Sequence, residues 1–262
     1  MRDELAELAG RAARWNGRCG IVVHDLGSGE RIAVGDLSPY TSASVIKLPV
    51  MMAVLTGDLA RTDRLPIAEE HRVGGSGIIG DLADLRELTV RDLVRAMISV
   101  SDNTATNVLI AAVGMDAVNA WSTAHGLHSA HLARAMLDLD ARARGLENRI
   151  GPEDTAVLLA ALARGTLADP EPTELALHAL ARQRYADMLP RYLPRDVTVA
   201  HKTGDLSGIR HDAGIITIPG RAPLVMAAMT EGFTGPDAEG EYGGPASDLI
   251  AQAARLVVER SR

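Results

Sequence analysis

The sequence predicts an α+β fold: an antiparallel sheet formed by the N- and C-terminal segments, flanked by helices, with an inserted all-helical lobe. Two observations carry this prediction. β-Rich runs with turn residues occur near both ends of the chain, and the middle is rich in alanine and leucine at helical spacing. A chain of 262 residues is about as long as one hydrophobic core allows. We therefore expect a single domain over 1–262, with a sheet lobe at about 1–43 and 195–262 and a helical lobe at about 44–194.

The elements near the ends follow from strand and turn patterns. A first helix is predicted at about Arg2–Trp15, and Gly20–Val34 contains two β-rich runs joined by a Gly-Ser-Gly turn, which is typical of a hairpin. Strand patterns return at Val197 and recur twice more. A last helix is predicted near Ala246–Arg260.

The middle of the chain, from Ser44 to about Tyr192, has apolar residues at helical spacing, and most of its segments end at glycine. The clearest predicted helices are Leu88–Ser99, Asn103–Val113, Met115–His125 and Pro152–Arg164. We expect a site in the cleft between this lobe and the sheet. The Gly74–Gly77 run has no lysine of a phosphate-binding loop, and we expect it to line that cleft.

The composition excludes several classes of partner. The net charge of −7 and the pI near 5.6 provide no basic patch for nucleic acid. The longest apolar stretch, Leu48–Leu55, has eight residues, whereas a membrane span needs about twenty. The N-terminus has no signal-peptide pattern, so the chain as written is expected to be soluble and cytoplasmic, without a membrane partner. The sequence leaves the oligomeric state open.

Neither a metal nor another cofactor is expected. Cys19 is the only cysteine, which excludes an internal disulfide, and we expect it to be a small buried apolar residue. His125, His128 and His131 have a suggestive spacing, but Gly126 interrupts the helix and no carboxylate joins them at ligand spacing.

Lysine is rare in this chain. Of the 27 basic residues, Lys47 and Lys202 are the only lysines and all the others are arginine. An arginine keeps its proton in a protein, whereas a lysine amine can become neutral and act as a base. In a chain that otherwise uses arginine for its basic residues, the two remaining lysines indicate chemistry at those positions.

Ser44 and Lys47 form a Ser-x-x-Lys pair. The spacing places the hydroxyl and the amine on one face of a helix, where the amine can act as general base for the hydroxyl. The alternative is an ordinary helix start with serine as its cap. A charged side chain among valine, isoleucine and leucine favours a partly buried lysine, which a cap does not require.

Two further motifs are weak when taken alone. Ser101-Asp102-Asn103 displays a hydroxyl and an amide at a turn between two helices, although such residues are also ordinary N-caps. Lys202-Thr203-Gly204 lies on a predicted strand, where glycine would let a ligand approach the backbone. Its alternative is an exposed lysine before a bend.

Together and in this order, the three motifs resemble those of the class A β-lactamase and penicillin-binding-protein superfamily. The similarity covers about Gly20 to Arg260, including Leu-Thr-Val-Arg-Asp-Leu before the second motif, Thr-Ala-Thr-Asn107 after it, and Leu193-Pro194 ahead of the third. Both lysines fall inside the motifs. The resemblance implies a serine hydrolase that forms a covalent acyl-enzyme.

The resemblance also implies a role for each motif residue. Ser44 would attack a carbonyl carbon, and Lys47 would take its proton, kept partly neutral by burial and by the charge of Lys202. Ser101 would relay a proton to the leaving nitrogen. Lys202 is expected to stay charged and to lie nearer to solvent.

The remaining implied roles concern substrate binding. Asn103 would hold the substrate amide, and Lys202 with Thr203, on the strand that Gly204 keeps open, would attract a substrate carboxylate. Arg210 or His211 would add a second carboxylate contact. The backbone N–H groups of Ser44 and Asp205 would form the oxyanion hole. The expected partner is therefore a small molecule with a carboxylate.

One position departs from the family. Class A β-lactamases carry a glutamate that activates the water for deacylation, and Met136 stands where it is expected. A thioether cannot act as a base. Asp138 and Glu147 are the candidates for a replacement acid, although either is also readable as a solvated surface carboxylate.

These observations leave three functions open. The first is hydrolysis of a β-lactam or a similar cyclic amide. The second is an intracellular serine hydrolase or acyltransferase that acts on a peptide, an ester or a biosynthetic intermediate, which the absent signal pattern and Met136 both favour. The third is a sensor that is acylated once by a β-lactam and stays acylated.

Overall fold

A computed structural model describes residues 1–234 and 244–262 and places nine strands and nine α-helices in these ranges. The strands are β1 Arg18–Asp25, β2 Arg31–Gly35, β3 Tyr40–Thr41, β4 Arg64–Pro66, β5 Glu87–Thr89, β6 Arg149–Ile150, β7 Thr198–Leu206, β8 Ile209–Thr217 and β9 Leu224–Glu231. The helices are α1 Arg2–Gly10, α2 Lys47–Thr56, α3 Val90–Ser99, α4 Asn103–Val113, α5 Met115–Ala124, α6 Leu139–Ala143, α7 Pro152–Ala163, α8 Pro170–Leu180 and α9 Pro245–Ser261.

The main sheet is antiparallel and has the strand order β2-β1-β9-β8-β7. Strand β1 pairs with β9, with Ile21 opposite Ala228, so the two ends of the chain meet in the centre of the sheet. This arrangement confirms the predicted α+β class and the sheet built from both ends.

Each face of the sheet covers a hydrophobic layer. Side chains alternate along β1, so that Ile21 and Val23 face one layer and Val22 faces the other. The first layer contains the apolar faces of α1 and α9. The second layer joins the sheet to the helical lobe, where α7 packs on β1, β8 and β9. The free thiol of Cys19 is buried in the first layer, in agreement with the apolar role expected for it.

Helix α2 forms the centre of the helical lobe. Every residue from Lys47 to Leu55 is buried, and the helix packs against α3, α4, α5 and α8. A helix that is apolar on all sides is stable only inside such a bundle. The chain therefore positions Lys47 by burying the whole helix that begins with it.

The predicted helices are present; α4 has the predicted bounds and the others have shifted ends. Helix α3 begins at Val90 because Leu88 pairs with Leu65 in β4 and Thr89 caps the helix by accepting a hydrogen bond from the backbone N–H of Asp92. The first helix ends as α-helix at Gly10 and continues as a 3-10 helix to Trp15. Among the described residues, no helix combines the length and the apolar character that a membrane crossing needs.

Candidate active site

The three sequence motifs meet in one cavity. Ser44 lies on a 3-10 helix, Ala43–Ile46, that runs directly into α2. Ser101 lies in the turn between α3 and α4, and Thr203 lies on β7. All three line a cavity of about 320 Å³, with Gly75, Ser76, Tyr185, Asp187, Met188 and Asp205. The fold therefore brings residues from both lobes into one cavity with Ser44.

The hydroxyl of Ser101 lies between the two lysine amines. Lys47 Nζ donates to Ser101 Oγ at 3.1 Å, to the Ser101 carbonyl oxygen at 2.7 Å and to Asn103 Oδ1 at 2.8 Å. Lys202 Nζ donates to the same Ser101 Oγ at 3.1 Å and to the Thr203 carbonyl oxygen at 2.8 Å. One hydroxyl thus connects both amines. Within the described residues, the Ser44 hydroxyl makes no hydrogen bond of its own.

Burial lowers the pKa of both lysines. Desolvation, together with the charge of Lys202, holds the pKa of Lys47 well below its ordinary value, and Asp102 opposes this only in part. Desolvation lowers the pKa of Lys202 to about 7, against the opposing charge of Asp212. Both side chains are 0% exposed. The expectation that Lys202 lies nearer to solvent is therefore wrong, because β7 carries it into the protein behind Ser101.

The Ser101 backbone adopts an uncommon conformation. Its φ is 55°, which costs a residue other than glycine about 1–3 kcal/mol. The following residue, Asp102, caps α4 by accepting from the N–H of Ala105 at 2.8 Å and also accepts from the N–H groups of Ile78 and Ile79 at 2.8 and 2.9 Å. Asp102 therefore caps the helix and at the same time stabilises the turn that directs Ser101 toward the lysines.

Gly204 brings β7 close to the segment that carries Ser44. A Cβ atom at this position would lie 3.2 Å from the side chains of Ala43 and Val45 and 3.3 Å from the Ser42 carbonyl oxygen. The sequence interpretation assigned this glycine to ligand approach, whereas in the structure the side that a Cβ would occupy faces the Ser42–Val45 segment that carries Ser44. Glycine here sets the distance between the backbones of Ser44 and Asp205.

We expect Gly204→Ala to reduce acylation by about 10²-fold or more. The added methyl would push β7 away from the 3-10 helix by a few tenths of an ångström, and the loss of one oxyanion donor typically costs about 2.7–4 kcal/mol. Acylation kinetics followed by intact mass would measure this effect. The matched control is Gly10→Ala, where a Cβ meets nothing within 4 Å. An unchanged rate in Gly204→Ala would show that this contact does not set the geometry.

Asn103 connects Lys47 to the glycine-rich loop. Its Oδ1 accepts from Lys47, and its Nδ2 donates to the Gly74 carbonyl oxygen at 3.1 Å. A Cβ on Gly75, whose φ is 78°, would lie 2.9 Å from Nδ2, so glycine is needed for this approach. Gly75 and Ser76 line the cavity beside Ser44, as expected for this loop. The second N–H of the Asn103 amide donates to none of the described residues.

The two residues predicted to add a second carboxylate contact lie in different surroundings. His211 is 0% exposed, with Nε2 2.8 Å from the Thr41 carbonyl oxygen and Nδ1 2.8 Å from the Arg210 carbonyl oxygen. Burial also lowers its pKa. The expectation that His211 contacts the substrate is wrong, because its ring points into the protein. Arg210 places its guanidinium 2.5 Å from Asp205 Oδ1.

A second cavity, of about 160 Å³, also borders Ser44 and shares Gly75, Ser76 and Asp205 with the first. Met136 and Asn103 are among the residues that line it. Asn107 holds the Met136 backbone from both sides, accepting from its N–H at 2.8 Å and donating to its carbonyl oxygen at 3.2 Å. The backbone of Met136 is therefore fixed at the wall of the cavity that Ser44 also lines.

The two candidate deacylation acids differ in position. Glu147 lines the second cavity, but its Oε1 accepts from Arg134 Nε at 3.0 Å and Nη2 at 2.6 Å. Asp138 is not among the residues that line this cavity, and its Oδ1 caps α6 by accepting from the Ala141 N–H at 2.8 Å. Each carboxylate already has a structural partner, and Glu147 is the one that borders the cavity.

Sequence reasoning missed Tyr185, Asp187 and Met188, which line the first cavity. They lie between α8 and β7, in a stretch without a helical or strand pattern. Leu189, in the same stretch, donates its N–H to Asp212 Oδ2 on β8 at 2.9 Å. The one signal in the sequence was the presence of acidic and aromatic residues in a long connection ahead of the third motif.

Within residues 1–234 and 244–262, no group of three histidine, cysteine, aspartate or glutamate side chains is arranged to hold a metal ion.

Comparisons with known proteins identify the family of this chain. A model of the beta-lactamase enzyme family matches residues 1–261. A β-lactamase of Streptomyces fradiae is 30% identical over 254 residues, which span 92% of this chain and 81% of that protein. The solved β-lactamase of Sphaerobacter thermophilus is 31% identical and has a TM-score of 0.87, covering 100% of this chain and 98% of its own. A variant of PBP-A in an acyl-enzyme complex with penicillin G is 25% identical and has a TM-score of 0.88, covering 99% of this chain and 95% of its own. The resemblance noted from the motifs is thereby confirmed: the chain is an enzyme of the serine-hydrolase type and belongs to the beta-lactamase enzyme family.

Proposed function

We propose that Ser44 is the nucleophile of an acyl-enzyme and that the acyl donor is a β-lactam or a similar cyclic amide. The observation that carries this proposal is the Lys47–Ser101–Lys202 array at the wall of the cavity that Ser44 lines. A buried lysine with a lowered pKa can take a proton from a serine hydroxyl. The similarity to β-lactamases and to a penicillin G acyl-enzyme supports the choice of substrate.

The array also provides a route for the proton. Lys202, when charged, donates to Ser101 Oγ, and the Ser101 hydroxyl can in turn donate to the lone pair of a neutral Lys47 amine. After Lys47 has accepted the proton of Ser44, it can return a proton through Ser101 to the leaving nitrogen. In this scheme Lys47 is the general base and Ser101 is the relay.

The backbone N–H groups of Ser44 and Asp205 are proposed as the oxyanion hole. Strand β7 lies against the Ser44 segment at Gly204, which brings these two residues to the same side of the cavity. Donors held by packed backbone need no reorganisation when negative charge develops on the carbonyl oxygen. Thr203 lines the same cavity and is proposed to bind a substrate carboxylate next to the charge of Lys202.

The residue expected to promote hydrolysis of the acyl-enzyme is replaced here, and this favours a second candidate function. Met136 is 7% exposed and stands beside Ser44 where a water-activating carboxylate is expected from the family resemblance. Without such a base, water attacks the acyl-enzyme slowly, and the intermediate can survive until another acceptor arrives. This observation favours a slow hydrolase or acyltransferase acting on a peptide or ester. If the acyl group is not released at all, the protein would be a stably acylated sensor.

A chromogenic cephalosporin and intact-mass spectrometry would test the proposal. We expect a covalent adduct of one acyl group per chain that persists for longer than the time needed to form it. Multiple turnovers without an adduct would identify a fast β-lactamase. No reaction with any β-lactam would contradict the proposed acyl donor and direct the search to peptides and esters.

The acylation rate is expected to fall above pH 7 for a substrate with a carboxylate. Below its pKa of about 7, Lys202 is charged and attracts the carboxylate; above it, the amine is neutral and this attraction is lost. Lys47, whose pKa is also lowered, gains base character as the pH rises and contributes the opposite slope at lower pH. We expect about a 3- to 10-fold fall between pH 7 and 9.

Second-order acylation constants measured across this pH range would check the prediction. The methyl ester of the same β-lactam is the control, because it lacks the charge that Lys202 attracts. If the acylation constant of the ester falls by the same factor, the pH dependence does not come from attraction between Lys202 and the substrate carboxylate.

A further inference from the structure

The cavity beside Ser44 is lined by acidic and neutral side chains. Among the described residues that line it, Asp187 and Asp205 carry charge, and no lysine, arginine or histidine is present. Lys47 and Lys202 lie behind Ser101 without exposed surface. The charged residues that line this cavity are therefore both acidic, although the sequence predicted a cavity built for a carboxylate.

The two acids differ in their partners. Asp205 Oδ1 lies 2.5 Å from the guanidinium of Arg210, which compensates its charge. No ion pair within the described ranges includes Asp187, whose Oδ2 accepts from the hydroxyl of Ser247 at 3.4 Å. Burial raises the pKa of Asp205, and the neighbouring charge of Asp187 adds to this rise. Asp187 thus supplies the uncompensated negative charge of the cavity.

The position of Asp187 indicates which half of the substrate it meets. Ser101 and Thr203 line the same cavity as Asp187, whereas Asn103 lines the second cavity. In the proposed function Ser101 relays a proton to the leaving nitrogen, and the family resemblance implies that Asn103 holds the substrate amide. The uncompensated charge therefore lies in the cavity that Ser101, the residue assigned to the leaving group, also lines.

We propose that this enzyme selects acyl donors whose leaving-group half carries a positive charge, a protonated amine or a quaternary nitrogen, which is held by Asp187. The inference rests on the proposed function, because it takes Ser44 as nucleophile and Ser101 as the residue nearest the leaving group. A substrate that also carries a carboxylate would be a zwitterion, with its anion at Thr203 and its cation at Asp187. An acyl donor must enter this cavity to reach Ser44, which lines it. Asp187 then favours donors with a cation over donors without one.

Two cephalosporins with the same thienylacetyl side chain would test this inference. Cephaloridine carries a pyridinium cation on its leaving-group half, and cephalothin carries a neutral acetoxy group there. Second-order acylation constants of the full chain, followed by intact mass, would be compared as the ratio of cephaloridine to cephalothin. The ratio is compared between variants so that the intrinsic reactivity of the two compounds cancels. We expect Asp187→Asn to lower this ratio about 5-fold, and high salt to lower the wild-type ratio in the same direction.

The matched control is Asp196→Asn, which removes a charge from the same connecting stretch at an exposed ion pair with Arg262. Its ratio should equal that of the wild type. If both compounds acylate Ser44 and the ratio is the same in wild type and Asp187→Asn, the inference is overturned while the proposed function stands. If neither compound acylates the wild type, the proposed function fails and the inference fails with it. If Asp187→Asn does not fold, the wild-type ratio at low and high salt decides instead. A ratio that does not fall at high salt would overturn the inference.

Discussion

Ser44→Ala is expected to abolish the covalent adduct with every β-lactam that acylates the wild type. Loss of the nucleophile in a serine hydrolase lowers the rate on the order of 10⁶-fold, because the remaining groups cannot form the acyl intermediate. The stability of the variant should stay within about 0.5 kcal/mol of the wild type. The reason is that the hydroxyl makes no hydrogen bond with the described residues, so its removal leaves no partner unsatisfied.

Intact mass after incubation with a β-lactam measures this effect directly, and thermal unfolding checks the fold. Ser76→Ala is the matched control, because it removes another hydroxyl from the same cavity and should retain the adduct. An adduct of unchanged yield in Ser44→Ala would place the nucleophile elsewhere and would remove the basis of the proposed function.

Met136→Glu is expected to accelerate release of the acyl group by about 10²- to 10⁴-fold, the range that a positioned general base contributes. The backbone at this position is held by both polar atoms of Asn107, and the side chain borders the cavity that Ser44 also lines. A glutamate here would bring a carboxylate next to the water that attacks the acyl-enzyme. Because Met136 is 7% exposed, burial would raise the pKa of the new carboxyl and lower stability by about 1–3 kcal/mol.

The measurement is the rate at which the adduct disappears after excess β-lactam is removed. Met136→Gln matches the glutamate in shape and lacks its basicity, so it should release the acyl group as slowly as the wild type. Equal rates in the two variants would argue against Met136 as the cause of slow release. Fast release in the wild type would instead direct attention to Glu147, which borders the same cavity, and Glu147→Gln would then be the informative variant.

The candidate site could be located from the sequence because its chemistry is concentrated in short motifs. A hydroxyl and an amine three positions apart are placed together by local helical geometry, so Ser44 and Lys47 needed no knowledge of the fold. The two lysines kept among 27 basic residues marked the same positions independently. The roles of these residues stay predictions until the variants above are measured.

The substrate contacts could not be predicted equally well. Which way a strand side chain points depends on pairing, and a shift of one residue moves it to the other face. Arg210 and His211 are neighbours on β8, yet His211 points into the protein and Arg210 meets Asp205. Asp187 lies in a connection without regular structure, so no periodicity indicated that it reaches the cavity.

The sheet shared by both ends of the chain, the four clearest central helices and the family resemblance were determined by the sequence alone, since periodicity and short motifs encode them locally. The tertiary structure decided the environment of those motifs. Lys202 and Ser101 are separated by 101 positions, and only the packing of β7 against the helical lobe makes them neighbours and buries both lysines. Packing also places Gly204 against the Ser44 segment and Asp187 in the cavity wall. Desolvation and charge compensation depend on such long-range contacts, and for that reason the lowered pKa of both lysines and the acidic lining of the cavity followed from the fold.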